Sequence, residues 1–138
     1  MADSANNSAN LKLVVVTPEA TVLDVSAGFV VVPLYDGELG IGSGHAPMIG
    51  RLGFGELRYR VGNETQKYYV DGGFVQVQDN SISVLTNRAL ATADIDVAAA
   101  EAQLKEAVAS KTSNPQEMAI RERLMLQARA QKRMASKK

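Results

Sequence analysis

Between Asp36 and Arg58 the chain reads D-G-E-L-G-I-G-S-G-H-A-P-M-I-G-R-L-G-F-G-E-L-R. This run holds Gly37, Gly40, Gly42, Gly44, Gly50, Gly53 and Gly55, seven of the eleven glycines, together with the only histidine, His45. Glycine admits positive φ and lets another chain come close. Seven in so short a span mean repeated turning or close approach and exclude a regular helix there. Three arrangements suit such a run: a loop cradling phosphate, a metal or catalytic site built on His45, or a series of turns shaping a docking surface.

The flanking sequence has the pattern of short strands. Leu11 to Val16 is β-branched and apolar and closes at Thr17-Pro18. Thr21 to Ser26 alternates. Phe29 to Leu34 is apolar, and Pro33, which has no N–H for a ladder, predicts a strand end or an edge at that point. Glu38 to Ile41 and Pro47 to Ile49 allow only short strands. Gly55 to Val61 alternates, Gly62-Asn63 suits a two-residue hairpin turn, and Glu64 to Val70 returns. Asp71-Gly72-Gly73 reads as another turn. Phe74 to Gln78 follows, with Phe74 anchoring one face, then a turn at Asp79-Asn80 and a return strand from Ser81 to Leu85. Tyr68 and Tyr69 should divide, one inward and one outward. Short strands between frequent turns predict an antiparallel sandwich or barrel.

The period changes near Ala91. Ala91 to Ser110 is alanine-rich, with Val97, Leu104 and Val108 near one stripe and Asp94 or Asp96 suited to cap its start. After Thr112-Ser113, Asn114 as cap, Pro115 at the first helical position and Glu117 signal a second helix, running to about Met134. Its apolar arc is Met118, Ile120, Leu124, Met125 and Ala128. A short connection makes the two helices an antiparallel hairpin. Alanine faces bury little area at about 25 cal/mol per Å², so the hairpin should be held loosely.

The chain has 138 residues and 46% apolar content, which suits one packed domain with an appendage. Without cysteine it has no disulfide, thiolate metal site or cysteine nucleophile, which favours a reducing compartment. No apolar run approaches the roughly 20 residues that span a bilayer. The opening M-A-D-S-A-N-N-S-A-N lacks the features of a secretory or transit signal, and residues 1–10 are expected to be a disordered tail. Net charge is zero but polarised: after Ser110 eight basic residues face two acidic ones, an excess of six that the rest of the chain balances. Such polarity predicts different partners for the two ends, or an encounter between them.

The enzymatic chemistries lack their parts. A phosphate loop requires a glycine followed by lysine, and no lysine occurs in the glycine run. Gly42-Ser43-Gly44 leads into His45-Ala46-Pro47-Met48, which opens no helix, so the dinucleotide fingerprint has no context. His45 has no second imidazole or thiolate for a metal, and no acid orients it as a base toward Ser43. Its plainest role is a ring bonded to backbone groups within a turn. Glu38 and Glu56 as a catalytic pair would need about 5 to 9 Å of separation. The basic C-terminal part has no aromatic residue, which argues against nucleic acid.

The run Asp36 to Gly50 resembles the G-E-[LM]-G-[IV]-x-x-G-H-A-P-[LM] segment of the epsilon subunit of F-type ATP synthase. Gly55-Glu56-Leu57-Arg58, Gly72 to Val77, Ile82 to Leu85 and Ile95-Asp96 follow in the family's order, so the resemblance covers about Leu11 to the C-terminus. It implies a β-sandwich of about ten strands over residues 11–90 and a regulatory helical hairpin over 91–138. It also implies a non-catalytic rotor subunit without cofactor, peripheral to the membrane on the cytoplasmic face of the bacterial inner membrane.

By the same resemblance, Asp36, Glu38, Leu39 and Ile41 would face the c-ring, and His45, Pro47 and Met48 the gamma subunit. The helix carrying Arg121, Arg123, Arg129 and Arg133 would meet the beta subunit transiently and restrain ATP hydrolysis. Some bacterial members bind ATP through I-[DN]-x-x-R-A; here Ala99 stands where that arginine would be, so ATP binding is expected to be weak or absent. Arg129 and Arg133, four apart, are the remaining candidates for a phosphate. Two rival readings are a stand-alone binding sandwich with a helical dimerisation arm, and an enzyme using His45 with Ser43 or Glu38.

Overall fold

A computed structural model describes residues 10–135. The tail expected over residues 1–10 falls outside the described residues except for Asn10. Eight strands come first: β1 (Leu11–Val16), β2 (Thr21–Ala27), β3 (Phe29–Leu34), β4 (Gly37–Ile41), β5 (Met48–Val61), β6 (Glu64–Gln78), β7 (Ser81–Leu85) and β8 (Ala89–Ala91). They pair in the order β2-β1-β7-β6-β5-β3-β4, with β8 also on β6.

The two long strands make this one sheet into two layers. The first part of β5, Met48 to Leu52, pairs with Gly73 to Val77 of β6; the second, Phe54 to Val61, pairs with Glu64 to Asp71. The break between the two parts falls at Gly53 and Gly72. One layer is therefore β2, β1, β7 and the later part of β6 with the earlier part of β5. The other is β8, the earlier part of β6, the later part of β5, β3 and β4. Counted once in each layer, these are ten strand segments, as the resemblance implied. Leu13, Val15, Leu23, Val75 and Val84 from the first layer meet Val30, Val32, Ile41, Leu57 and Val70 from the second in a common core.

Three expectations for the strands are corrected. Asp71-Gly72-Gly73 is no chain reversal; it is a bend inside a 15-residue strand. Gly73 has φ +107°, and a Cβ there would run into the carbonyl of Leu85, so glycine is required where the strand passes between layers. Pro33 neither ends its strand nor lies at an edge: β3 sits between β4 and β5, and Pro33 falls where the pairing with β5 shifts register. Its missing N–H is thus placed at an irregularity. The face that Phe74 anchors is the outer one, because its neighbours Val75 and Val77 take the core positions. Pairing is also not wholly antiparallel, since β1 runs parallel to β7.

The chain then makes one 3₁₀ turn (Thr92–Asp94) and two helices, α1 (Val97–Ala109) and α2 (Pro115–Ala135). The helix expected from Ala91 begins only at Val97: Ala91 closes β8, because the open edge of β6 at Tyr68 to Val70 offers ladder bonds that outweigh a weak local propensity, and Thr92–Asp94 form the 3₁₀ turn. Asp96 caps α1, its Oδ1 accepting from Ala99 N–H at 3.0 Å. Asn114 Oδ1 accepts from Glu117 N–H at 2.8 Å at the start of α2.

Helix α2 lies on the outer face of the second layer, where Tyr69, Ile95, Ala130 and Met134 form a second core with Phe54 and Leu90. Helix α1 packs on α2. The buried stripe of α1 is Ala100 and Ala107; Val97 and Val108 are turned out. On α2 the buried residues are Ala128, Ala130, Gln131 and Met134, while Met118 and Ile120 are exposed. Small faces let the helix backbones approach closely, so the bulkier residues are displaced to the flanks.

Candidate interaction surfaces

The glycine run divides between two places. Asp36 is exposed in the turn joining β3 to β4, and Glu38 is exposed on β4. Leu39 is half-buried and Ile41 fully buried, both against the core. The His45 loop begins beyond the other end of β4. At about 3.3 Å per residue, the five residues of that strand hold the two groups roughly 13 to 17 Å apart. Glu38 and Glu56 flank one guanidinium: Arg58 Nη1 lies 2.9 Å from Glu38 Oε2 and 3.2 Å from Glu56 Oε2. The hydrogen bond to Glu38 is the main cause of an upward shift in the Arg58 pKa. The two carboxylates neutralise a cation.

His45 is half-buried. Its ring Nδ1 pairs with the Ala46 carbonyl oxygen at 2.7 Å, and its backbone N–H donates to Gly42 at 3.3 Å. Gly44 N–H donates to Asn80 Oδ1 at 2.8 Å. That bond fixes the loop to the β6–β7 turn, where Asp79 and Asn80 have φ of 52° and 62°. Pro47 is exposed and Met48 half-buried at the start of β5. The loop thus presents a fixed backbone shape.

Next to this loop the outer face of the first layer carries apolar side chains that no element among the described residues covers. Ile49 is 72% exposed, Phe74 57% and Leu85 54%. Register places Arg51, Phe74, Leu85 and Val16 in one row across four strands. The sequence pattern made Phe74 the anchor of one face without saying which face is outward. The same alternation, anchored on Val75 and Val77, would have found it.

The four arginines of α2 do different things. Arg121 Nε donates to the Ala107 carbonyl at 2.7 Å and its Nη2 to Val108 at 3.2 Å, bonding the last carbonyls of α1. Arg123 lines a cleft of about 510 Å³ with Tyr35, Arg51, Asp71 and Asn87. Arg129 and Arg133 are exposed on the outer side. Ala99 is exposed in the first turn of α1.

A buried polar group joins the hairpin to the sandwich, and sequence reading passed over it as a turn. The Asp71 carboxylate receives Gln127 Nε2 at 2.8 Å and Tyr69 Oη at 3.3 Å, with Arg88 Nε 3.9 Å from its other oxygen. Asp71 N–H donates to Thr86 Oγ1 at 2.9 Å. Burial is the first cause, and the Asp71 charge the second, of a strong upward shift in the Tyr69 pKa. The available signal was the spacing of Gln103, Gln127 and Gln131, polar residues at positions that face inward on a helical hairpin.

The family pattern described as "ATP synthase, Delta/Epsilon chain, beta-sandwich domain" matches residues 10–92. The chain is 45% identical over 124 residues to the ATP synthase epsilon chain of Rhodopirellula baltica, spanning 90% of this chain and 97% of that one. It is 41% identical over 130 residues to the ATP synthase epsilon chain of Symbiobacterium thermophilum, spanning 88% and 93%. A chain in the cryo-EM structure of the Euglena gracilis mitochondrial ATP synthase shares the fold, with a TM-score of 0.80 at 22% identity over 94% of this chain and 82% of that one.

Proposed function

The chain belongs to the ATP synthase epsilon-chain family, and from that premise we propose that it sits in the rotating central stalk and couples proton flow through the c-ring to ATP synthesis. It is a non-catalytic subunit of the F-type ATP synthase complex. The observation that carries the reading is the identity of 45% over nearly the whole length of an epsilon chain.

In this reading the β3–β4 end of the sandwich, with Asp36 and Glu38 exposed, meets polar loops of the c-ring; Leu39 and Ile41 support it from the core side. The His45, Pro47 and Met48 loop meets the gamma subunit. The exposed apolar face carrying Ile49, Phe74 and Leu85 supports this, because it is continuous with that loop and apolar area of this kind marks a protein contact. The complex holds the subunit at the cytoplasmic face of the membrane, and no helix among the described residues is long and apolar enough to cross a membrane itself.

The hairpin is the regulatory arm. Arg123, Arg129 and Arg133 carry its positive charge to an acidic segment of the beta subunit, with steering by opposite charge, while Arg121 keeps its two helices together. ATP binds this arm weakly or not at all, since Ala99 offers no charge-assisted contact, worth about 1.5 to 3 kcal/mol.

The test is ATP hydrolysis by the assembled complex with the full chain and with a chain lacking residues 97–138, which leaves β8 and the 3₁₀ turn intact. The shortened subunit should still co-purify with gamma and the c-ring while hydrolysis rises. Equal hydrolysis with both chains would reject the regulatory arm, and failure of the full chain to co-purify would reject the stalk position.

A further inference from the structure

The helix–sandwich joint has an unusual composition. Apart from Met134, the most buried positions of α2 are two alanines and Gln131. Alanine surfaces slide over one another with little loss of contact, so they do not select one docked position. Hydrogen bonds do, because they act at one geometry.

Here they form a chain through three layers. Gln103 Nε2 on α1 donates to Gln127 Oε1 on α2 at 3.2 Å and to the Leu124 carbonyl at 2.8 Å. Gln127 uses its other end, Nε2, to donate to Asp71 Oδ1 of β6 at 2.8 Å. Both ends of the Gln127 amide are thereby committed, one to the partner helix and one to the sandwich. Asp71 is itself held by Tyr69 Oη and its backbone by Thr86, and Asn87 Nδ2 donates to its carbonyl at 3.3 Å.

Gln131, one turn further along α2, works against this. Its side chain sits by the Tyr69 hydroxyl. Its buried amide nitrogen eases the Tyr69 pKa down from there but reaches no partner at hydrogen-bond geometry among the described residues. An unsatisfied buried donor disfavours the state that buries it.

We propose that Asp71 is the latch that holds the helical hairpin on the sandwich, that Gln127 makes latching and closure of the hairpin one event, and that Gln131 keeps the latch weak enough to release. Loss of either Gln127 bond frees the amide to turn, so a hairpin leaving Asp71 also loosens α1 from α2. Docked and released states are then separated by a small polar group, and a partner competing for α2 need overcome only that group and a thin apolar contact. The inference rests on the hairpin being the regulatory arm only for its biological use; the latch itself is a property of the isolated chain.

The experiment uses the full chain, which has no native cysteine, with Asn63→Cys and Ser113→Cys carrying spin labels. Distance distributions are measured together with amide exchange in α2. Gln127→Ala, on the helix, should add a longer-distance population and speed α2 exchange by about tenfold or more, as for loss of a hydrogen bond to a charged group. Asp71→Ala should do the same, and the double variant little more than either alone. Gln131→Met should act oppositely, slowing α2 exchange and removing any longer-distance population. The amides of β6 and β7 serve as the check that the sandwich is folded. Unchanged α2 exchange in Gln127→Ala, or faster exchange in Gln131→Met, would overturn the latch. If Gln127→Ala releases the hairpin but leaves ATP hydrolysis by the complex unchanged, the latch stands and the regulatory reading fails.

Discussion

Arg121 on the second helix of the hairpin donates to the carbonyl of Ala107 near the end of the first, at 2.7 Å. The carbonyls at a helix C-terminus have no partner within the helix and carry a partial negative charge. A guanidinium that reaches across the hairpin to satisfy them acts as a clasp, so its charge is already in use when the hairpin is closed.

Arg121 and Arg129 should therefore behave differently. Arg121→Ala should lower the stability of the hairpin by about 1.5 to 3 kcal/mol, the range for hydrogen bonds to charged groups, visible as lost helical circular dichroism at a lower temperature. Arg129→Ala, at an exposed position, should stay within about 0.5 kcal/mol. In the complex Arg129→Ala should raise ATP hydrolysis, whereas Arg121→Ala, which opens the clasp and frees the arm, should lower it. Only the Arg129 effect should be mimicked by added salt, which screens exposed charge. Equal stability of the two variants in urea denaturation would show the clasp to be inert.

Gly73 should be intolerant of any side chain. Its φ of +107° strains an L-residue, and a Cβ would meet the Leu85 carbonyl. Strain of this kind costs about 1 to 3 kcal/mol before the clash is added. Gly73→Ala should shift the denaturation midpoint of the sandwich by at least that much. Gly55→Ala, where the added carbon meets only Pro33 Cβ at 3.5 Å, should shift it far less.

Stability should fall at alkaline pH through Tyr69. Burial and the Asp71 carboxylate raise its folded pKa above the ordinary value of 10.0. The neutral phenol is therefore the form the folded protein favours. Its contribution is fully present below pH 10 and is lost as pH rises from there toward the folded pKa, because the unfolded chain releases the proton first. Melting temperature measured between pH 8 and pH 11.5 should drop above pH 10, and Tyr69→Phe should flatten the drop. The same variant should lose about 1 kcal/mol at neutral pH with its hydrogen bond to Asp71. An identical pH profile in both proteins would assign the drop to other groups.

Glu38→Ala should separate stability from coupling. Its ion pair with Arg58 is largely exposed, with 34% and 55% side-chain exposure, so its removal should change stability by less than about 1 kcal/mol. If Glu38 meets the c-ring, ATP-driven proton pumping by the complex in vesicles should fall while ATP hydrolysis persists. Wild-type pumping would remove Glu38 from that contact.

Much of the fold was legible from local pattern. The β-branched apolar run of β1, the hairpin at Gly62-Asn63, the turn at Asp79-Asn80 and the start of α2 at Asn114-Pro115 each follow from a few neighbouring residues, and each lies where expected. The errors share a cause. Asp71-Gly72-Gly73 has turn composition, and whether such a segment reverses the chain or bends a strand depends on what pairs with it. Leu52 and Phe54 on the neighbouring strand supply those partners. Ala91 has helical propensity, which a free sheet edge outweighs.

The family, the division into a β part and a helical part, and the polarity of charge between them are written in the chain, because they rest on motif, period and composition. Only the tertiary structure decided that Asp36 and His45 stand at opposite ends of β4, that Phe74 faces outward beside Ile49, and that Arg121 closes the hairpin rather than extending from it. Asp71, Gln103 and Gln127 are far apart in the chain and carry no motif. They become one site only when α1, α2 and β6 stack, because a hydrogen bond requires its atoms within about 3 Å and sequence neighbours say nothing about that distance.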